Sequence, residues 1–171
     1  MDIDEIDFSG VKSGSFVSDF IQPHNGSSLP GEAVQPNGVD LSIGELYRLS
    51  GESYISNDSY EKANRIPVNL QEEEIYHVTP DEAYIIVYDE KITIPENHIG
   101  LVLPRSRLMR CGLQVETAVW DSGYSGVGEG QLVVNSPARF DENLRCAQIV
   151  FIPTENLDSH YEGSHQNERL D

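Results

Sequence analysis

From about residue 74 onward the chain is a succession of short apolar segments, each closed by a turn signal. The segments are residues 75–78, 83–88 (Ala-Tyr-Ile-Ile-Val-Tyr), 99–103, 113–119, 131–135 and 145–152. Between them stand Thr79-Pro80-Asp81, Ile94-Pro95-Glu96-Asn97 and Asn135-Ser136-Pro137. Strands this short are stable only when many pair together, so the pattern predicts a mainly β fold, a barrel or jelly roll with a few short helices. Upstream, residues 39–48 alternate apolar and polar as a half-buried strand does, while Phe16, Val17, Phe20 and Ile21 space residues 13–22 as a short amphipathic helix. Residues 23–36 read as loop and 50–65 as a polar excursion. Residues 104–111 break the strand pattern: Pro104 suits a helix start and Gly112 the position after its end. The whole reads as one domain, residues 1–171, with an acidic lead over 1–11 and a mobile polar tail over 158–171.

Charge narrows the function. Against 29 acidic residues stand 11 basic ones, a net charge of −18. Nucleic acid is therefore an unsuitable partner, because phosphate neutralisation needs a basic surface. A salty cytoplasm would screen the self-repulsion, since the Debye length shrinks to roughly 3 Å near molar salt, and this favours a halophilic origin over a merely acidic mesophilic protein. No apolar run approaches the ~20 residues of a membrane span, and the acidic start is the opposite of a secretory signal, so the chain reads as cytoplasmic. Cys111 and Cys146, far apart in apolar surroundings, read as free, buried thiols.

Four short stretches carry chemistry. In Pro104-Arg-Ser-Arg-Leu-Met-Arg110, three arginines and Ser106 share one short helix, and Ser106 and Arg110 lie on one face with Arg105 and Arg107 beside them. Guanidinium forks with a serine hydroxyl make a phosphate cradle; the bland reading is a solvated surface helix. In Trp120-Asp-Ser-Gly-Tyr-Ser-Gly126, Asp121 is either an Asx-turn cap or a base on a rigid turn, and Tyr124 is either a core aromatic or a ligand contact. In Gly38-Val-Asp-Leu41, Asp40 opens a strand. In Arg145-Cys-Ala-Gln-Ile149, Gln148 interrupts an apolar run, so its amide needs partners from the fold or from a ligand.

Together and in this order, the four stretches resemble the family that unites trimeric dUTPases and dCTP deaminases, with the archaeal dUTPase branch the most similar. The resemblance covers about residues 34–170 and includes a deaminase-type tail, Tyr161-Glu-Gly-Ser-His-Gln-Asn-Glu-Arg169. It implies a distorted jelly-roll barrel, a homotrimer with sites at subunit interfaces, Mg²⁺ as cofactor and dUTP as substrate. The products would be dUMP and pyrophosphate, which limits uracil in DNA and supplies dUMP for dTMP synthesis. By the same resemblance Asp121 is the general base, Arg105 and Ser106 contact phosphates with Arg110 assisting, and Tyr124 packs on the deoxyribose. Gln131, Gln148, Tyr161 and Gln166 complete the nucleotide contacts, and Asp40 supports the metal indirectly, through water or the triphosphate. Arg107 stands where the family has a small residue, and either adds a phosphate contact or points away. The glycine-rich arm of ordinary dUTPases is absent.

Two other activities are carried forward: dCTP deamination, alone or combined with hydrolysis, and nucleotide binding without catalysis. The deaminases use a glutamate on the strand after the Asp-x-Gly turn. Ten residues beyond Asp121 stands Gln131, and three before Asn135 stands Leu132; Glu129, between Gly128 and Gly130, reads as part of an inserted turn. Hydrolysis is therefore preferred. The zinc deaminases lack any counterpart here, because their His-x-Glu and Pro-Cys-x-x-Cys pattern does not occur.

Overall fold

A computed structural model describes residues 10–71, 74–155, 161–167 and 169. Most of the acidic lead and parts of the tail, including 156–160, lie outside the described residues. Ser13 caps helix α1 (Gly14–Ser18) by accepting the Phe16 N–H at 3.3 Å. The chain then runs through β1 (Ile21–Pro23), a 3-10 turn (Gly31–Ala33), β2 (Val34–Gln35), β3 (Gly38–Ser50), β4 (Tyr54–Ile55), β5 (Tyr60–Glu61) and β6 (Asn64–Pro67). It continues with β7 (Ile75–Val78), β8 (Tyr84–Thr93), β9 (His98–Pro104), helix α2 (Ser106–Arg110), β10 (Leu113–Glu116), β11 (Ser125–Val134), β12 (Ala138–Asp141) and β13 (Arg145–Pro153).

The main sheet runs β10-β11-β8-β3-β13-β9, with β1 added to β8 and with β2 and β6 added to β3. All its pairings are antiparallel. Its two ends meet where Gly100 and Trp120 exchange backbone hydrogen bonds of 2.8 and 3.0 Å, so the sheet is nearly a closed barrel. Alternate residues Val39, Leu41 and Ile43 of β3, Ile86 and Tyr88 of β8, and Ile149 and Phe151 of β13 are almost fully buried. Removing each from water contributes roughly 1.5–3 kcal/mol. No helix among the described residues is long and apolar enough to cross a membrane.

Several expectations shift. The predicted helix over 13–22 ends at Ser18, because Ile21 pairs with Ile92 and is buried as a strand residue. The excursion over 50–65 holds the β4–β5 hairpin and the start of β6. Cys146 is buried as expected, but Cys111 is exposed: it ends a five-residue helix whose one buried residue is Leu108. The largest correction concerns Gly128 and Gly130, which form no turn. Both lie within β11, and both are glycine because aromatic groups occupy the space of a side chain. A Cβ on Gly128 would overlap the Trp120 ring, with Cζ3 and Cζ2 at 2.7 and 2.8 Å; one on Gly130 would meet the Tyr88 hydroxyl at 2.6 Å. Glu129 is thus a strand residue.

Three register shifts fall close together, at Gly44 in β3, at Cys146 in β13 and opposite Gly128 in β8. There the Ser42 N–H is accepted by both carboxylate oxygens of Glu90, at 3.0 and 2.9 Å. Glu90 is only 4% exposed. Burial raises its pKa to about 7, against the opposing pull of the Ser42 bonds.

Two outcomes follow from this packing. A carboxyl whose pKa rises on folding binds protons in the native state that the unfolded chain has already released. Its contribution is therefore complete below about pH 4.5 and declines as the pH rises to about 7. Glu90→Gln keeps an acceptor for Ser42 and should flatten that decline, leaving the variant on the order of 1–3 kcal/mol more stable than the parent above pH 7, as measured by denaturant unfolding across pH. Gly128→Ala should lower stability by at least about 2 kcal/mol through overpacking against Trp120, measured the same way.

Candidate functional site

Two groups of the predicted residues form, at opposite ends of β9. The first surrounds Asp40, which is 1% exposed at the entry of β3. Its Oδ2 accepts from Gln35 Nε2 at 3.1 Å and lies 3.2 Å from Arg105 Nη1 and 3.6 Å from Arg145 Nη1. Arg105 is brought there because its backbone N–H donates to Cys146 O at 3.0 Å, joining the start of α2 to β13. Burial raises the Asp40 pKa above its ordinary value, outweighing Arg105, Arg145, Gln35 and Arg107. Within this group, Asp40 Oδ1 and Arg105 Nη1 are buried without a hydrogen-bond partner among the described residues. Ser106, Arg107 and Arg110 are exposed on α2. Gln148 lies opposite Asp40 in the β13–β3 ladder and donates to Asn37 O at 3.0 Å, so the fold itself supplies one partner for its amide.

The second group surrounds Asp121. Its turn is held from three sides. Gly123, at φ +82°, bends the chain so that its N–H reaches Ile94 O at 3.1 Å, while Ile94 N–H returns to Tyr124 O at 2.8 Å. Ser122 is buried, and its hydroxyl accepts the Asn97 N–H at 3.0 Å. From the C-terminal segment, Gln166 accepts from Ser125 N–H and donates to Gly123 O, both at 3.0 Å, and Tyr161 N–H donates to Ser122 O at 2.9 Å. The Asp121 carboxylate itself is exposed and makes no hydrogen bond or ion pair with the described residues, so it is not an Asx-turn cap.

Asp121 stands at a cavity of about 240 Å³ whose walls include Trp120, Tyr124, Glu129, Tyr161 and His165. Tyr124 is buried with its ring edge-on to both Trp120 and Tyr161, the centroids 5.3 and 5.6 Å away. Glu129 contrasts with Asp121. Arg65 holds it with two bonds, of 2.6 and 2.7 Å, and Arg169 adds one of 2.8 Å. Burial pushes its pKa up, but the Arg65 bonds and the charges of Arg65, Arg169 and Lys62 bring it below the ordinary value. Gln131 is exposed two residues further along the same face of β11, beside Glu116 and Thr117.

Sequence reasoning missed the Trp120–Gly100 closure, the brace from Ser122, and the arrival of Arg65 and Arg169 at Glu129. Only the period of β11 was available as a signal. Residues 127–133, read as strand, place Glu129 and Gln131 on one face. For Asp40, no group of three or more His, Cys, Asp or Glu that could hold a metal occurs among the described residues. The donor set fits Mg²⁺ only indirectly, through a water accepted by the unpaired Asp40 Oδ1, since Mg²⁺ keeps several waters and is usually bound through substrate phosphates.

Comparison with known proteins gives the family of the chain. Residues 12–154 match the dCTP deaminase-like family. A Halobacterium salinarum protein named "Probable deoxyuridine 5'-triphosphate nucleotidohydrolase" is 37% identical over 163 residues, 92% of this chain and 94% of its own. A protein of the same name from Aeropyrum pernix is 37% identical over 143 residues, 81% of this chain and 87% of its own. Among solved structures, the 2'-deoxycytidine 5'-triphosphate deaminase of Agrobacterium tumefaciens superposes with a TM-score of 0.65 at 17% identity over 84% of this chain, which spans about half (49%) of that longer one. The chain belongs to the dCTP deaminase-like family.

Proposed function

We propose that the chain is a dUTP diphosphatase, cleaving dUTP to dUMP and pyrophosphate. The observation that carries this reading is the contrast between the two carboxylates of the pocket. Asp121 has no partner among the described residues and stands on a turn braced by Ser122, Ile94 and Gln166, as a general base must. Glu129, the carboxylate that deamination would recruit, is engaged by two arginines. The names borne by the archaeal relatives point the same way.

Asp121 would take the proton from a water attacking the innermost phosphorus, and the bond to the departing pyrophosphate would break. Arg105 and Ser106 would take phosphate oxygens, with Arg107 and Arg110 beside them on α2. The unsatisfied Arg105 Nη1 is suited to this, since a phosphate oxygen would give it the acceptor it lacks. Mg²⁺, bound with the triphosphate, would offset phosphate charge that a chain of net charge −18 otherwise repels. Tyr124 would press on the deoxyribose, Tyr161 would cover it, and Gln131 and Gln148 would line its approach. The amide of Gln166, spent on the turn, would serve by bracing Asp121.

On this reading one chain would not complete the site. Trp120, next to Asp121, pairs with Gly100, and Arg105 follows Pro104. Gly100 and Arg105 are five residues apart, about 16 Å of extended backbone at roughly 3.3 Å per residue, so the base and the phosphate ligands would stand well apart within one chain. Neighbouring phosphorus atoms are far closer than that, so base and cradle would come from different copies. Leu103, Met109 and Val119, all more than half exposed, edge a groove between β9 and β10 that a second copy would cover. A homotrimer working in a salty cytoplasm accommodates these features.

Asp121→Asn should still bind a non-hydrolysable dUTP analogue but release pyrophosphate about 10²–10⁴-fold more slowly. Near-normal turnover would refute the role. Assay of ammonia from dCTP beside pyrophosphate from dUTP decides between the two chemistries, with pyrophosphate alone expected. For the shared site, Asp121→Asn and Arg105→Ala should each be inactive, yet regain activity when dissociated and reassembled together; no recovery would place base and cradle in one copy.

A further inference from the structure

The two arginines on Glu129 come from different parts of the chain. Arg65 belongs to β6, whereas Arg169 belongs to the C-terminal segment. Arg169 also reaches Glu45 of β3 at 3.1 Å and lies over the Tyr47 ring, 5.9 Å from its centroid; the Tyr47 hydroxyl donates to the same Glu45 oxygen at 2.8 Å. The barrel thus offers two carboxylates and a ring to one guanidinium. The segment is also tied through Gln166 on the Asp121 turn and through Asn167 N–H on Ser125 O at 2.7 Å. Two members of that segment, Tyr161 and His165, line the cavity at Asp121.

We propose that Glu129 is a positioning residue, a charged clamp that, through Arg169, holds residues 161–167 over the cavity of their own protomer and so sets the stance of Tyr161 against Tyr124. Its oxygens are committed: Oε1 accepts from both Arg65 and Arg169, and Oε2 accepts from Arg65. A proton carrier for deamination must gain and lose a proton at such an oxygen, and two guanidiniums oppose the gain. The four charges of Glu45, Glu129, Arg65 and Arg169 sum to zero, so the clamp adds nothing to the acidic surplus of the chain. That the clamp serves dUTP rests on the diphosphatase reading; that it holds the segment does not.

The test separates the two. Amide hydrogen exchange is followed on the ligand-free full chain at a salt concentration where the parent is folded. In Glu129→Gln and in Arg169→Gln, the Tyr161 and Asn167 amides should exchange about tenfold faster while β13 amides keep their rates, and the double variant should add little to either single one. With dUTP, both variants should raise KM roughly five- to tenfold and keep kcat within about twofold. Should Glu129→Gln disturb β11, Arg169→Gln alone still decides, because it lies outside the barrel strands. Unchanged exchange in Arg169→Gln overturns the clamp, and so does a Glu129→Gln variant that loses kcat at constant KM. If the parent fails to hydrolyse dUTP, the diphosphatase reading falls while the exchange measurement still judges the clamp.

Discussion

The pairing of Gly100 with Trp120 is the constraint on which the remaining architecture depends. It joins the two ends of a sheet whose other strands are already paired, and it does so one residue before Asp121. Closing a barrel removes exposed edges, but the last contact must admit a large ring. Gly100 and Gly128 make that room: a Cβ on either would crowd Trp120. The position of the pocket is therefore set by the same ring that completes the sheet, and the aromatic sequence Tyr88, Trp120, Tyr124, Tyr161 runs from the core out to the cavity wall.

Charge inside this acidic protein is placed at irregularities of the ladder. Glu90 answers the Ser42 N–H where β3, β8 and β13 all shift register, and Asp40, just before, holds Arg105 and Arg145 together. A buried carboxylate costs free energy unless it is bonded or paired. Here Glu90 answers a backbone N–H that the shifted ladder leaves open, and Asp40 is answered by the side chains of Gln35, Arg105 and Arg145. The end of the molecule that carries Arg105 and Arg145 is in this way tied to the middle of the sheet.

Much of this was legible beforehand. The alternation in 39–48 and the apolar run of 145–152 correspond to β3 and β13, neighbours in the main sheet, and the Pro104 and Gly112 boundaries correspond to α2. The motifs around Asp40, Arg105 and Asp121 lie at the entry of β3, at the start of α2 and on a turn held by Ile94 and Ser122. What was not legible came from contacts distant in sequence. Glycines at 128 and 130 read as a turn because their reason, the Trp120 and Tyr88 groups, lies on other strands. Arg65 and Arg169 reach Glu129 across 64 and 40 residues, separations for which a single sequence has no periodic trace. Cys111, in an apolar neighbourhood by sequence, is exposed because its helix is too short to bury more than Leu108.

Trp120 is the only tryptophan in the chain, and it is 9% exposed at the seam of the barrel with its ring toward the cavity. Its indole emission is consequently a signal of single origin. Unfolding would shift that emission to the red as water reaches the ring, whereas a ligand stacking in the cavity would quench it without such a shift. The protein thereby carries an optical probe that distinguishes occupancy from opening, with no label attached.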